Sequence, residues 1–143
     1  TSSTTLYHTT HTNFNTKIIN ISGKSKEYFM LENIGHKGYQ AGLDYGLGGN
    51  DNTSGIAIWH IDENQSVNSD ETHRLVDLEE AAEAGLDEGT HSGKQANLFY
   101  SGNKTEFSNS TDPNSKTYAG SSSGITIDDI SASGDNMTFK VAF

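Results

Sequence analysis

Cysteine is absent from this sequence, and proline occurs once, at position 113. The absence of cysteine excludes a disulfide scaffold and any zinc site built on thiolates. Hydrophobic residues are also few, at 31% of the 143 residues. A chain of this length can bury one core, but that core must be thin or wrapped in long polar loops. No apolar run approaches the length that a membrane-spanning helix needs.

Positive charge is scarce as well. The chain has 9 Lys and Arg against 19 Asp and Glu, which gives a formal net charge of −10. A surface this acidic repels phosphate backbones and anionic lipid, so we expect no nucleic-acid binding; the lack of a long apolar run predicts no membrane span. It would attract divalent cations. The sequence opens on TSSTTLYHTTHTN without an initiator methionine, and we interpret it as a piece of a longer polypeptide.

What is present is a series of short apolar segments of β character. Residues 17–21, 27–32 and 55–61 favour strands, and the last two suit strands that are buried on both faces. Residues 124–130 and 137–143 alternate apolar with polar side chains and are separated by a turn-like stretch. We therefore predict a hairpin at the C-terminal end.

One segment differs from this pattern. Residues 76–84, VDLEEAAEA, are good helix formers and stop at Gly85, which predicts a short helix. Long irregular stretches separate the apolar segments; they cover 35–54, 62–75, 85–98 and 101–123. Loops of this length are usually functional. The sequence thus predicts a mainly β protein: a single antiparallel β-sandwich domain over 1–143, jelly-roll-like, with one short helix near 76–84, long loops and an irregular lead-in over 1–15.

The most suggestive side chains follow the apolar run 55–59. On a strand, His60 and Asp62 share one face and can converge on one site. One loop away lie further side chains that could join them and make a metal site or a catalytic pair; they are His73, Asp77, Glu79 and Glu80. The alternative is structural: Asp62 caps a turn, and His60 is hydrogen-bonded at the sheet edge.

Oxygen-bearing side chains recur at every second position after this strand, as in the first part of a calcium loop; they are Asp62, Asn64, Ser66, Asn68 and Asp70. An EF-hand is excluded, because Val67 stands where it needs glycine and His73 where it needs a bidentate glutamate. A looser calcium or structural site remains a hypothesis, and its candidate ligands are Asp62, Asp77, Glu79 and His60.

Evidence for catalysis by this chain is weak. No G-x-S-x-G elbow follows a predicted strand, and no H-E-x-x-H motif occurs. We therefore do not expect an independent enzyme. The alternative hypothesis, in which the chain is catalytic, is an autonomous hydrolase that uses His60, Asp62 and His73.

Four segments in fixed order resemble one family. They are EYFMLEN (27–33), GIAIWHIDEN (55–64), HRLVDLEEA (73–81) and DPNSKTYAGSSSGITIDDISASGDNMTFKV (112–141). Their order and wording resemble the region after the catalytic domain in the immune inhibitor A family of secreted bacterial zinc metalloproteases. Each segment alone is a weak match to the family, whereas the four segments in this order are a fairly specific match that spans most of the chain.

This resemblance implies a secreted, extracellular bacterial peptidase of which the chain is a non-catalytic part. The catalytic domain of the same polypeptide would be its partner, would carry the Zn²⁺, and would bring protein substrates. The family also binds structural Ca²⁺, which favours an ion here. The chain departs from the family pattern after residue 81: Ala82 replaces an expected acidic residue, and the expected glycine is displaced to Gly85. Asp77 and Glu79 are therefore better candidate ligands than any residue beyond them.

Two hypotheses of different class follow. In the first, the chain packs on the catalytic domain, its core includes Tyr28, Phe29 and Trp59, and an apolar patch is left at the docking surface. In the second, the chain is a carbohydrate- or cell-envelope-binding β-sandwich module that displays aromatic rings from its loops. The candidate rings are Tyr39, Tyr45, Tyr100 and Tyr118, although their glycine neighbours equally suit rings packed over loops.

Overall fold

The computed structural model describes residues 1–7, 16–35, 54–82, 85–87, 89 and 93–143. Within these ranges the chain forms seven β-strands in two antiparallel sheets and a single 3-10 turn at Gln95–Asn97. The strands are β1 (Ser2–Tyr7), β2 (Thr16–Asn20), β3 (Glu27–Ile34), β4 (Gly55–Asp62), β5 (Val76–Leu78), β6 (Thr126–Asp128) and β7 (Asn136–Ala142). No helix in the described ranges is long and apolar enough to cross a membrane. The prediction of a mainly β protein is confirmed.

The smaller sheet has the order β1-β7-β6, and the larger has the order β2-β3-β4-β5. The predicted C-terminal hairpin is confirmed, because β6 and β7 pair antiparallel. The prediction of an irregular lead-in over 1–15 is wrong for its first half: β1 pairs with β7 along its whole length, from Ser2 opposite Val141 to Tyr7 opposite Asn136. This pairing joins the two ends of the chain, so no local pattern could reveal it. Residues 8–15 lie outside the described ranges.

The predicted helix near 76–84 is wrong. Val76–Leu78 is a strand that pairs with β4, with Val76 opposite Ile61 and Leu78 opposite Trp59. The extended course continues, since the Glu79 N–H donates to the Ile58 carbonyl at 2.9 Å. Helix propensity is worth less than about 1 kcal/mol per residue, whereas the edge of β4 offers backbone partners that a helix could not satisfy. Residues 83 and 84 are not among those described.

The two sheets pack face to face around one core. Phe107 is central to it, because its ring makes edge-on contacts with Phe29 at 5.2 Å and with Phe99 at 5.8 Å. Both sheets contribute buried residues to the same cluster: Leu6, Ile127, Met137, Phe139 and Val141 from the smaller sheet, and Ile19, Phe29, Leu31, Ile56 and Ile58 from the larger. The predicted β-sandwich is confirmed. Strands β2 to β5 run consecutively, so the jelly-roll likeness extends only to two packed antiparallel sheets.

Strand β4 is buried on both faces except at Trp59, as expected for 55–61. Strand β3 is not, because it alternates buried with half-buried residues. Phe29 enters the core as predicted, but Tyr28 and Trp59 do not belong to the core cluster. Alternation explains the difference, since neighbouring residues of a strand point to opposite faces of its sheet.

Candidate functional site

His60 lies on β4 in the middle of the larger sheet and points inward, with 3% of its surface exposed. Its Nε2 is 3.2 Å from Glu27 Oε1, and its Nδ1 is 3.1 Å from Glu79 Oε1. Glu27 opens β3, and Glu79 directly follows β5. Because β4 runs between β3 and β5, each neighbouring strand supplies one carboxylate to the same imidazole.

Two hydrogen bonds among these three groups would require two protons. A neutral imidazole has one N–H, so it can donate to only one carboxylate. Both contacts are hydrogen bonds when a second proton is present, on the ring or on a carboxyl group. Burial raises the pKa of Glu79, although the hydrogen bond with His60 opposes this shift. Both ring nitrogens of His60 are therefore engaged inside the protein, which leaves neither for a substrate or a metal ion.

Tyr118 ties a distant loop to this cluster. Its backbone N–H donates to Glu27 Oε1 at 2.7 Å. Its ring stacks on the His60 ring at 4.2 Å and 13°, and its other face stacks on the His73 ring at 4.1 Å and 29°. Burial, reinforced by the carboxylates of Asp77 and Glu79, raises the pKa of the Tyr118 hydroxyl. The tyrosine thus lies between the two histidines and joins them.

Asp62 and His73 form a second pair, which closes the loop after β4. Asp62 Oδ2 lies 2.8 Å from His73 Nε2, while Oδ1 accepts from the backbone and side-chain amides of Asn64 at 2.9 and 2.7 Å. Burial raises the pKa of Asp62, but these hydrogen bonds outweigh it and the pKa is lowered overall. The Asp62 N–H also donates to the Leu75 carbonyl at 3.0 Å. Asp62 therefore anchors both ends of the loop.

The calcium-like spacing in this loop has a structural use. Asn68 Nδ2 donates to the Val76 carbonyl at 2.8 Å, and Asn68 Oδ1 accepts from the Val76 N–H at 2.9 Å. Asp70 Oδ1 accepts from the backbone and hydroxyl of Thr72 at 3.0 and 2.7 Å. These side chains replace backbone partners within the loop, as Asn and Asp commonly do in turns.

Asp77 lies opposite His60 in the strand register and lines an acidic cleft of about 210 Å³. Its Oδ1 accepts from Arg74 Nη1 at 2.8 Å, and the same guanidinium contacts Asp87. Burial raises the pKa of Asp77, partly offset by Arg74. Glu80, also in the cleft wall, accepts from the Leu86 N–H and from Asn97 Nδ2. Arg74 thus pairs with Asp77 and Asp87, and backbone and amide donors bind Glu80.

The four predicted metal ligands lie on or directly after strands β4 and β5. His60 and Glu79 are in contact, Asp77 is opposite His60 in the strand register, and Asp62 pairs with His73. Asp62 and Asp77 accept hydrogen bonds from Asn64 and Arg74, Glu79 contacts the His60 ring, and imidazole is not a ligand that Ca²⁺ prefers. Across the described ranges, no three His, Asp or Glu are placed to hold a metal ion. The calcium hypothesis stays a prediction that needs a solution measurement.

The structural alternative for His60 and Asp62 fits the geometry in part. Asp62 caps the turn as expected, whereas His60 is bonded in the sheet centre and not at its edge. Sequence reasoning missed Glu27 and Tyr118. Glu27 had a usable signal, because alternation with Phe29 places it on the inward face, where an acid needs a partner. Tyr118 had none, since its bond to Glu27 joins residues 91 positions apart.

The neighbours of His60 limit its chemistry. Its bonded and stacked partners are Glu27, Glu79, Phe29 and Tyr118, and none of them is an activated serine, threonine or cysteine nucleophile. Comparison of the chain with protein-family models, curated proteins and solved structures finds no match. What the chain does must therefore be inferred from its residues and their geometry.

Proposed function

We propose that this chain is a non-catalytic, structural β-sandwich domain of a secreted zinc metallopeptidase, and that it packs on the catalytic domain of the same polypeptide. The observation that carries the proposal is the state of His60. It is nearly fully buried, and both of its ring nitrogens contact carboxylates. A general base needs a free nitrogen within reach of substrate, and a metal ligand needs one directed at the ion. The same geometry suits a cross-link between strands.

The four segments that resemble the immune inhibitor A family meet at this cross-link. EYFMLEN supplies Glu27, GIAIWHIDEN supplies His60 and Asp62, and HRLVDLEEA supplies His73 and Glu79. The C-terminal segment supplies Tyr118, which touches three of these residues. Segments far apart in sequence thus interlock at one place. This convergence supports a shared domain architecture, and hence a parent protein in which zinc and the catalytic residues lie in another domain.

The alternative, a carbohydrate- or cell-envelope-binding module, receives less support. It needs aromatic rings displayed from loops. Tyr100 instead packs against the core, and Tyr118 is held between two histidines. Tyr39 and Tyr45 lie outside the described ranges.

Casein hydrolysis tests the proposal. We expect the 143-residue chain to cleave no casein, and the longer polypeptide that contains it to cleave casein in a zinc-dependent manner that phenanthroline abolishes. Hydrolysis by the chain alone that His60→Phe removes would restore the autonomous hydrolase. A longer polypeptide without zinc-dependent cleavage would refute the peptidase assignment.

A further inference from the structure

The larger sheet has an apolar outer face. Strand register aligns one row across it: Ile18 lies opposite Met30, Met30 opposite Trp59, and Trp59 opposite Leu78. A second row begins at the exposed Asn20, opposite Tyr28, and aligns Tyr28 with Ile61 and Ile61 with Val76. We call the two rows together the outer face; its members are Ile18, Met30, Trp59, Leu78, Tyr28, Ile61 and Val76.

The outer face of the smaller sheet is polar, as is usual for a sheet face that meets solvent. In β7, the buried Met137, Phe139 and Val141 alternate with exposed Thr138 and Lys140. Their partners on β1 are Thr5 opposite Thr138 and Ser3 opposite Lys140, and both are exposed and polar. An antiparallel sheet with one solvated face is expected to be polar there. The apolar outer face of the larger sheet therefore departs from a pattern that the same chain follows elsewhere.

The outer face lies outside the main core cluster, although its member Ile61 is already buried within the chain, at 8% exposed. None of its members belongs to the core cluster or to the residues packed against it. Ile18 is 54% exposed, and Met30, Trp59, Tyr28 and Leu78 are half-buried. Tryptophan, tyrosine and methionine are enriched in protein–protein interfaces. An apolar face of this composition indicates a surface for another protein.

The polar groups and charges at the rim of the outer face determine which kind of partner surface can bind there. Trp59 Nε1 donates to Glu32 Oε2 at 3.3 Å, and the Tyr28 hydroxyl donates to Glu63 Oε1 at 2.9 Å. Among the outward-pointing residues of the described strands β2 to β5, there is no Lys or Arg. The rim carboxylates are Glu32 and Glu63, on a chain with a net charge of −10, and the exposed Lys26 borders the rim where its carbonyl accepts from the Glu63 N–H. A second copy would set acid against acid, which is unfavourable at an interface.

We propose that the outer face docks the peptidase domain of the same polypeptide, through a patch that is apolar at its centre and carries Lys or Arg at its rim. The identity of this occupant rests on the proposed function. Apolar burial would supply the affinity, and the basic rim would pair with Glu32 and Glu63. Ile18, the most exposed member, is the residue that gains most burial on docking.

The two methionines of the chain provide the test. Met30 is on the outer face, whereas Met137 is fully buried in the core and serves as an internal control. Oxidation by hydrogen peroxide, followed by mass spectrometry, compares their rates in the 143-residue chain and in the longer polypeptide. We expect Met30 to react several-fold faster than Met137 in the chain, and to slow toward the Met137 rate in the longer polypeptide.

Matched variants make the test specific. In the longer polypeptide, Ile18→Glu should return Met30 to the fast rate, because a charge on the edge strand opposes docking without touching the core. Val67→Glu is the control, since Val67 is 57% exposed but lies in the loop after β4, and it should leave Met30 protected.

Several results would overturn docking. They are equal Met30 rates in both proteins, a monomeric chain in which Met30 is as slow as Met137, and a sedimenting dimer of the chain that protects Met30. A longer polypeptide that cleaves casein but leaves Met30 reactive refutes docking alone. One without zinc-dependent cleavage refutes the proposed function, and with it the identity of the docked domain.

Discussion

Replacing His60 with phenylalanine isolates the polar part of the cross-link. The new ring can keep the stacking positions of the imidazole, whose centroid is 4.5 Å from Phe29 and 4.2 Å from Tyr118. It removes both nitrogens, and with them the contacts to Glu27 and Glu79. Glu27 keeps the Tyr118 N–H as a donor. Glu79 keeps no side-chain donor within the described part of the chain.

The loss of stability follows from these contacts. A hydrogen bond to a charged group contributes about 1.5–3 kcal/mol, and the replacement removes both side-chain contacts of the ring. The side chain of Glu79 is 15% exposed, so water partly solvates it. We therefore expect His60→Phe to lower the free energy of unfolding by about 3 kcal/mol at neutral pH. His60→Ala should lose more, because each ring contact adds about 0.5–1.5 kcal/mol.

Urea unfolding measures this difference. With a slope of about 1–3 kcal/mol per M, the midpoint should fall by roughly 1–3 M while the slope stays unchanged. Glu71→Gln is the control, since Glu71 is exposed and its replacement should change stability by less than about 0.5 kcal/mol. A loss below about 1 kcal/mol for His60→Phe would refute the cross-link as a main stabilising element.

Three further predictions concern pH, calcium and packing. Because the pKa of Glu79 is raised on folding, its ionisation opposes folding as pH rises from about 4.5, its ordinary value, through the raised pKa. The free energy of unfolding of Glu79→Gln, measured by urea unfolding, should therefore increase relative to that of the unsubstituted chain as pH rises through this range. A relative increase as pH falls would contradict the prediction. Calcium at 1 mM tests the calcium hypothesis, because a site with a Kd of about 10 µM would add about 2.7 kcal/mol and raise the melting temperature by several degrees, and an unchanged melting temperature would refute it. Gly55→Ala should destabilise by about 1–3 kcal/mol in urea, because its Cβ would lie 2.7 Å from Leu98 Cβ; Gly134→Ala, which meets nothing within 4 Å, should be near neutral, and equal effects would refute the packing argument.

Local patterns predicted those parts of the fold that local forces decide. Apolar runs located β4 and the C-terminal hairpin, and the turn formed by Asp62 with Asn64 spans only two positions. Strand β5 was mistaken for a helix because its stability comes from pairing with β4, and intrinsic propensity carries no record of a partner. The strand β1 was missed for the same reason, since its partner is the last strand of the chain.

The candidate site was likewise predicted only where local patterns determine it. Alternation placed His60 and Asp62 on one face, and that face is indeed shared and buried. It could not decide which of several acids each residue meets, because this depends on the order of strands in the sheet. Glu27 reaches His60 since β3 is the neighbour of β4, and Glu79 reaches it since β5 is the other neighbour. Tyr118 arrives from a loop whose path no periodicity describes.

The cross-link and the outer face lie on opposite sides of the same strands. Phe29 and His60 point inward from β3 and β4, while their neighbours Met30 and Trp59 point outward. A cross-link that fixes the pairing of β3, β4 and β5 on the inside therefore also fixes the row that these strands present on the outside. A one-residue slip would exchange the two sets of side chains. The buried histidine thereby acquires a role in binding without touching a partner: it holds in register the surface on which the peptidase domain is proposed to dock.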